Sequence, residues 1–165
     1  MQVTKVSFEQ RFHADTLKTL YAYWQDLRRG RTAPSRADLD PAAIESVLPH
    51  VVLYAVEEAP RRYRIRLLGS RIIRWYGCDP TARYLDEIDF GEIAADTFAA
   101  LDSVVDRCLP LHMTGEYTKH DNRTLRFERL YLPLSSNGRR VDNVIGAVAP
   151  LAADVPISGI RLDTD

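Results

Sequence analysis

The side chains able to do chemistry are few in this chain, and they are not clustered. Its four histidines, His13, His50, His112 and His120, fall on different predicted elements at spacings unsuited to metal ligands, so each reads as a surface or structural histidine. Cys78 and Cys108 are far apart. Cys108 sits on the apolar face of a helical stretch, as a buried inert thiol would. Cys78 falls in a loop, where redox sensing would need a lowered thiol pKa. There is no phosphate-cradling glycine loop, no GxSxG and no metal-binding helix pair, and so no signature of an enzyme.

The informative charges lie in 125–134, LRFERLYLPL, where the strand alternation breaks. Leu125 and Phe127 share one phase; Leu130, Leu132 and Leu134 share the other. Either a bulge sits near Glu128 and Arg129, or Arg126 and Glu128 share the inward face with the leucines. In the second case both charges need partners, because burying an unpaired charge is costly. Arg71 is a candidate partner for Glu128. A carboxylate and a guanidinium so placed suit recognition of a polar ligand, and equally suit a structural ion pair.

The elements that must position these residues follow from periodicity. Residues 62–77 read as a strand, a glycine, a short helix and a second glycine. Tyr63, Ile65 and Leu67 alternate with Arg62, Arg64 and Arg66. Ser70 is a suitable N-cap, and Gly77 supplies a left-handed residue to end the helix. Ahead of this unit, 51–56 is an apolar, β-rich first strand. Behind it, 90–108 has an apolar face of Ala94, Phe98, Leu101, Val104, Val105 and Cys108 at helical spacing. Three strands then run over 111–119, 124–134 and 141–151, joined by turns short enough to make them antiparallel neighbours. The expected fold class is α+β, a five-stranded antiparallel sheet with helices covering one face.

The N-terminal part divides from this unit. Residues 1–12 read as an arm or short strand, and 15–30 as an amphipathic helix with Leu17, Leu20, Tyr21, Trp24 and Leu27 in one stripe. That stripe either packs on the chain's own domain or docks a partner through Tyr21, Trp24 and Leu27. The expected organisation is 1–30 arm and helix, 31–151 domain and 152–165 tail. Hydrophobic residues make up 45% and charged residues 27%, as in a soluble domain. A net charge of −1 argues against nucleic acid or an anionic membrane as partner. No apolar run approaches the ~20 residues that span a bilayer, and no apolar leader opens the chain, so a cytoplasmic location is expected.

The order of these elements resembles the PAS fold. Residues 34–57, PSRADLDPAAIESVLPHVVLYAVE, resemble the signature of a PAS family found mainly in alphaproteobacteria. So do 63–88, YRIRLLGSRIIRWYGCDPTARYLDEI, and FERLYLPL followed by VIGAVAP. The resemblance covers about 20–151. Many relatives carry a glycine where Ala82 stands and a charged residue where Cys78 stands. It implies a sensory or protein-interaction module with no assigned cofactor. Haem-binding PAS domains carry a histidine on the long helix, which 90–108 lacks, and flavin photosensors carry an NCRFLQ-like motif, which neither cysteine has; both cofactors are disfavoured. The expected ligand site is the space between sheet and long helix. Arg71, Tyr76, Phe98, Leu101, Arg126 and Glu128 are its candidate ligand-binding residues, with Ile65, Leu67, Ile72 and Val105 as further walls. The expected partners are a small-molecule ligand and a second copy or signalling protein.

Overall fold

The computed structural model describes residues 6–119 and 121–164; His120 and residues 1–5 of the predicted arm lie outside the described residues. Helix α1 (Asp15–Arg28) leads. Strands β1 (Val51–Glu57) and β2 (Arg62–Leu68) form a hairpin, followed by α2 (Ser70–Tyr76) and α3 (Glu92–Arg107). Then come β3 (Leu111–Thr118), β4 (Thr124–Leu134) and β5 (Asn143–Pro150), with a short β6 (Ile160–Leu162). The sheet order is β2-β1-β5-β4-β3-β6, antiparallel throughout.

Two features differ from expectation. The sheet has six strands rather than five, because the C-terminal segment returns to pair Ile160–Leu162 with Leu111–Met113 on β3. The Ser158 amide extends this by donating to Thr114 Oγ1 at 2.7 Å. Without it β3 would present an open edge. Second, helices cover both faces. α2 and α3 lie over one, with Ile72, Leu101 and Val104 packed on Tyr54, Tyr63 and Tyr131. α1 lies over the other, with Leu17, Leu20 and Trp24 packed on Leu130, Leu132 and Ile145. Phe8 and Phe12, from the poorly patterned arm, are buried beside Tyr21.

Local backbone geometry explains where the residues point. β2 pairs Leu67 with Leu53 but Ile65 with Tyr54, so Arg66 is an extra residue in a bulge. The bulge turns Leu67 away from Tyr63 and Ile65, onto the α1 face. Leu67 is therefore not a wall of the α3 side. Gly69, not Ser70, is the N-cap of α2. A Cβ on Gly69 would lie 2.3 Å from the Pro49 carbonyl oxygen, so the chain needs glycine there for close approach. Gly77 ends α2 at φ 78°, as predicted. Ala82 stands at φ 72°, a backbone region that favours glycine.

Candidate functional site

β4 supplies the two charges that matter, and it sends them to opposite faces. Its pairing with β3 and β5 is continuous from Phe127 to Tyr131, with no bulge. Residues 126, 128, 130, 132 and 134 therefore share the α1 face, and 125, 127, 129 and 131 the α3 face. Glu128 is the single buried carboxylate and Arg129 the single buried guanidinium among the described residues. They are chain neighbours, but the sheet separates them.

Glu128 anchors the start of α1. Its carboxylate accepts from the backbone amides of His13 at 2.8 Å and Ala14 at 2.9 Å. It also meets His112 Nε2, on β3, at 2.8 Å. Ala14 is the N-cap of α1 and gives no side-chain cap, so a residue 114 positions away does the capping. Burial pushes the Glu128 carboxyl up, but the His112 and amide bonds outweigh it and hold the pKa below its ordinary value. His112 stacks beside Phe12, with ring centroids 5.2 Å apart, and its Nδ1 has no partner.

Arg129 faces α3 with only 1% of its surface exposed. Its Nη1 donates to Thr97 Oγ1 at 2.8 Å and, more weakly, to Tyr131 Oη at 3.4 Å. Its Nη2 donates to the Tyr117 hydroxyl. The Thr97 and Tyr117 hydroxyls are committed as acceptors because their protons go elsewhere. Thr97 donates to the Ile93 carbonyl at 2.6 Å, and Tyr117 to Asp96 Oδ2 at 2.9 Å. The Arg129 Nε–H has no partner. Burial works against the charged guanidinium, but the oxygen dipoles of the tyrosines around it, Tyr131 foremost, outweigh burial, so Arg129 remains a cation. Burial also pushes the Tyr76 phenol up to about 12 and raises Tyr54 and Tyr117, so these neighbours are neutral.

The predicted site residues divide accordingly. Tyr76 and Leu101 lie on the α3 side, Leu101 fully buried and Tyr76 half-buried against Phe90, with ring centroids 4.6 Å apart. Phe98 is on the flank of α3, edge-on to Tyr63 at 5.4 Å. Arg71 is exposed on α2, so the expected Arg71–Glu128 partnership does not form: the sheet lies between them. Glu128 and Arg126 are on the α1 face and outside the α3-side space. Arg126 instead ties down the C-terminal segment, donating to the Ala152 and Val155 carbonyls, each at 2.6 Å. Tyr21 and Trp24 are buried against the chain's own sheet, and Trp24 Nε1 donates to the Pro133 carbonyl at 2.9 Å; Leu27 is half-buried. The sequence places Arg129 only near a candidate bulge, not among the site residues. Its signal was the same broken alternation: if Glu128 points one way, Arg129 must point the other.

Outside this region a cleft of about 260 Å³ opens between the N-terminal arm, α1 and the C-terminal segment, lined by Phe8, Tyr21, Arg28, Cys108 and Asp163. Cys78 is exposed. Among the described residues, no group of three or more His, Cys, Asp or Glu could hold a metal ion, and no helix is long and apolar enough to cross a membrane.

Comparison with known proteins agrees with this architecture. Residues 12–149 match the PAS domain family. The chain belongs to the PAS domain family. Similar solved structures include a light-oxygen-voltage domain studied with a flavin analogue, 14% identical over 68% of this chain and 84% of that one, TM-score 0.52. The LOV protein of Rhodobacter sphaeroides is 12% identical over 70% of each chain, TM-score 0.50. The PAS domain of BvgS from Bordetella pertussis is 16% identical over 63% of this chain and 77% of that one, TM-score 0.44. At these identities the likeness to the two light-oxygen-voltage proteins is one of fold alone. No curated protein matches the chain. PAS membership makes this a sensory or signalling module.

Proposed function

We propose that this PAS domain senses a small molecule on the α3 face of its sheet. Its output passes through association with a second copy or a signalling protein, not through an effector carried on residues 1–165. The observation that supports the reading is Arg129. A guanidinium that is 1% exposed, held by hydroxyls alone and keeping its Nε–H and one Nη2 N–H unpartnered, is a costly group in a core that exists only to be filled. Such groups are typical of sites where binding or chemistry must be poised. A route to the output follows from β4. Movement of Arg129 on binding would be felt by Glu128, the next residue, which holds the start of α1. Neither step uses nucleic acid, a membrane or a metal.

The rival reading is an interaction or homodimerisation module with no ligand. It draws on the close packing of the α3 side, where Ile72, Ala100, Leu101 and Val104 are fully buried. Native mass spectrometry of the protein purified from its own host, followed by denaturing extraction, separates the two. A stoichiometric small molecule released on unfolding is the expected result. A chain that stays at its bare mass, and gains no ligand from a host metabolite extract, refutes the sensor reading in favour of the interaction module.

A further inference from the structure

The chemical class of ligand follows from the way Arg129 is left. Its guanidinium carries five N–H bonds, and among the described residues three oxygens receive only three of them, one at 3.4 Å. All three are neutral hydroxyls. Asp96 is the nearest acid in this network and is reached only through the Tyr117 hydroxyl. The acid next to Arg129 in sequence, Glu128, is spent on the other face. The positive charge thus has no direct counter-charge, and its Nε–H points to no acceptor. A carboxylate fits this edge because two parallel N–H···O bonds from one guanidinium match its two oxygens. A phosphate fits less well: its second charge would need another buried cation, and Arg129 is the single buried arginine or lysine among the described residues. The surroundings are aromatic. Tyr54 lies beside Tyr131, ring centroids 6.4 Å apart, and the half-buried Tyr76–Phe90 pair joins the last residue of α2 to the segment just before α3.

We propose that Arg129 receives the carboxylate of a small organic acid with an aromatic or apolar body, admitted between α2 and α3 past Tyr76 and Phe90. The acid supplies the missing counter-charge, and Thr97 and Tyr117 hold the guanidinium in place for it. This inference rests on the sensor reading above and adds the ligand's charge to it.

Benzoate and its neutral counterpart benzamide are suitable probes, titrated into the full chain stripped of ligand by unfolding and refolding. The readout is the Arg129 Nε–H resonance in a proton–nitrogen spectrum, with phosphate as a third titrant. Benzoate is expected to shift that resonance saturably and to bind at least about tenfold more tightly than benzamide, the worth of one charge-assisted bond. Arg129→Gln should abolish the preference, and the benzoate–benzamide contrast in the parent chain stands even if that variant does not fold. Equal binding of the two probes overturns the proposal, as does tighter binding of phosphate. So does the absence of a saturable shift by benzoate, or by linear acids of four to eight carbons, up to about 10 mM, a range that spans weak small-ligand affinities. Recovery of a neutral molecule from the native protein would overturn the carboxylate while leaving the sensor reading intact.

Discussion

Removing the Glu128 carboxylate should undock the start of α1 from the sheet. Three groups depend on that carboxylate: the His13 and Ala14 amides and His112 Nε2, all within 2.9 Å. Each hydrogen bond to a charged partner contributes ~1.5–3 kcal/mol net, and a buried donor left without an acceptor costs ~1–3 kcal/mol. Simple addition would overshoot, because the amides can recover water once the helix start lifts. Breaking a buried charged arrangement from one side costs about 3–5 kcal/mol, the figure expected for Glu128→Ala. For a domain of this size that is a fall in Tm of about 10–15 °C. Glu128→Gln keeps the shape but offers one acceptor oxygen and an amide that opposes an N–H, so about 2–3 kcal/mol is expected. Hydrogen exchange is the more telling assay. Amides 13–20 should lose protection in the variant while β4 and β5 keep theirs. The pH dependence has a definite sign. A carboxyl whose folded pKa is depressed below 4.5 contributes stability that is fully present above 4.5 and is lost as pH falls through the folded value. The parent chain should therefore lose stability below about pH 4.5 more steeply than Glu128→Gln. A destabilisation under ~1 kcal/mol with unchanged exchange in α1 would refute the latch.

Two further predictions test the fold around the site. Trp24→Ala should cost about 3–5 kcal/mol, since it empties a fully buried site and leaves the Pro133 carbonyl without its 2.9 Å donor. Chemical denaturation reads this, and native mass reads the rest: a variant that stays folded at parental stability but changes oligomeric state would show that the stripe meets another chain. Ala82→Gly should raise stability by about 0.5 kcal/mol, because relief of ~1–2 kcal/mol of left-handed strain outweighs the entropy glycine gains when unfolded. A decrease in the denaturation midpoint would contradict that balance.

Much of this was legible in the chain. The 3.6-residue stripes placed α1 and α3 within a residue or two, and the Gly77 stop was found at its position. What failed has two physical causes. A bulge moves a strand out of phase without changing its composition, so Leu67 looked like a neighbour of Ile65 and is not. Long-range partners also leave no local trace: nothing near Ala14 announces that its amide is capped from β4, and nothing near Ile160 announces that it will pair with β3. The side of the sheet on which Arg71 lies, away from Glu128, depends on sheet topology, which alternation alone does not supply.

The broken alternation in 125–134 was, for that reason, the most useful feature of the sequence. A strand buried on one side tolerates charge only on its wet face. A strand buried on both sides must place any charge in a core, and two adjacent charges must go to different cores. Glu128 and Arg129 do so, each hydrogen-bonded on its own side: one by a histidine and two amides, the other by hydroxyls only. The asymmetry matters more than the burial. Glu128 has all its demands met by groups of this chain, as a structural anchor should. Arg129 does not, and the one buried carboxylate among the described residues points away from it. A mutation converting the pair to apolar residues separates the two roles. Glu128→Leu should free α1, whereas Arg129→Leu should leave α1 docked and remove the preference for an acid.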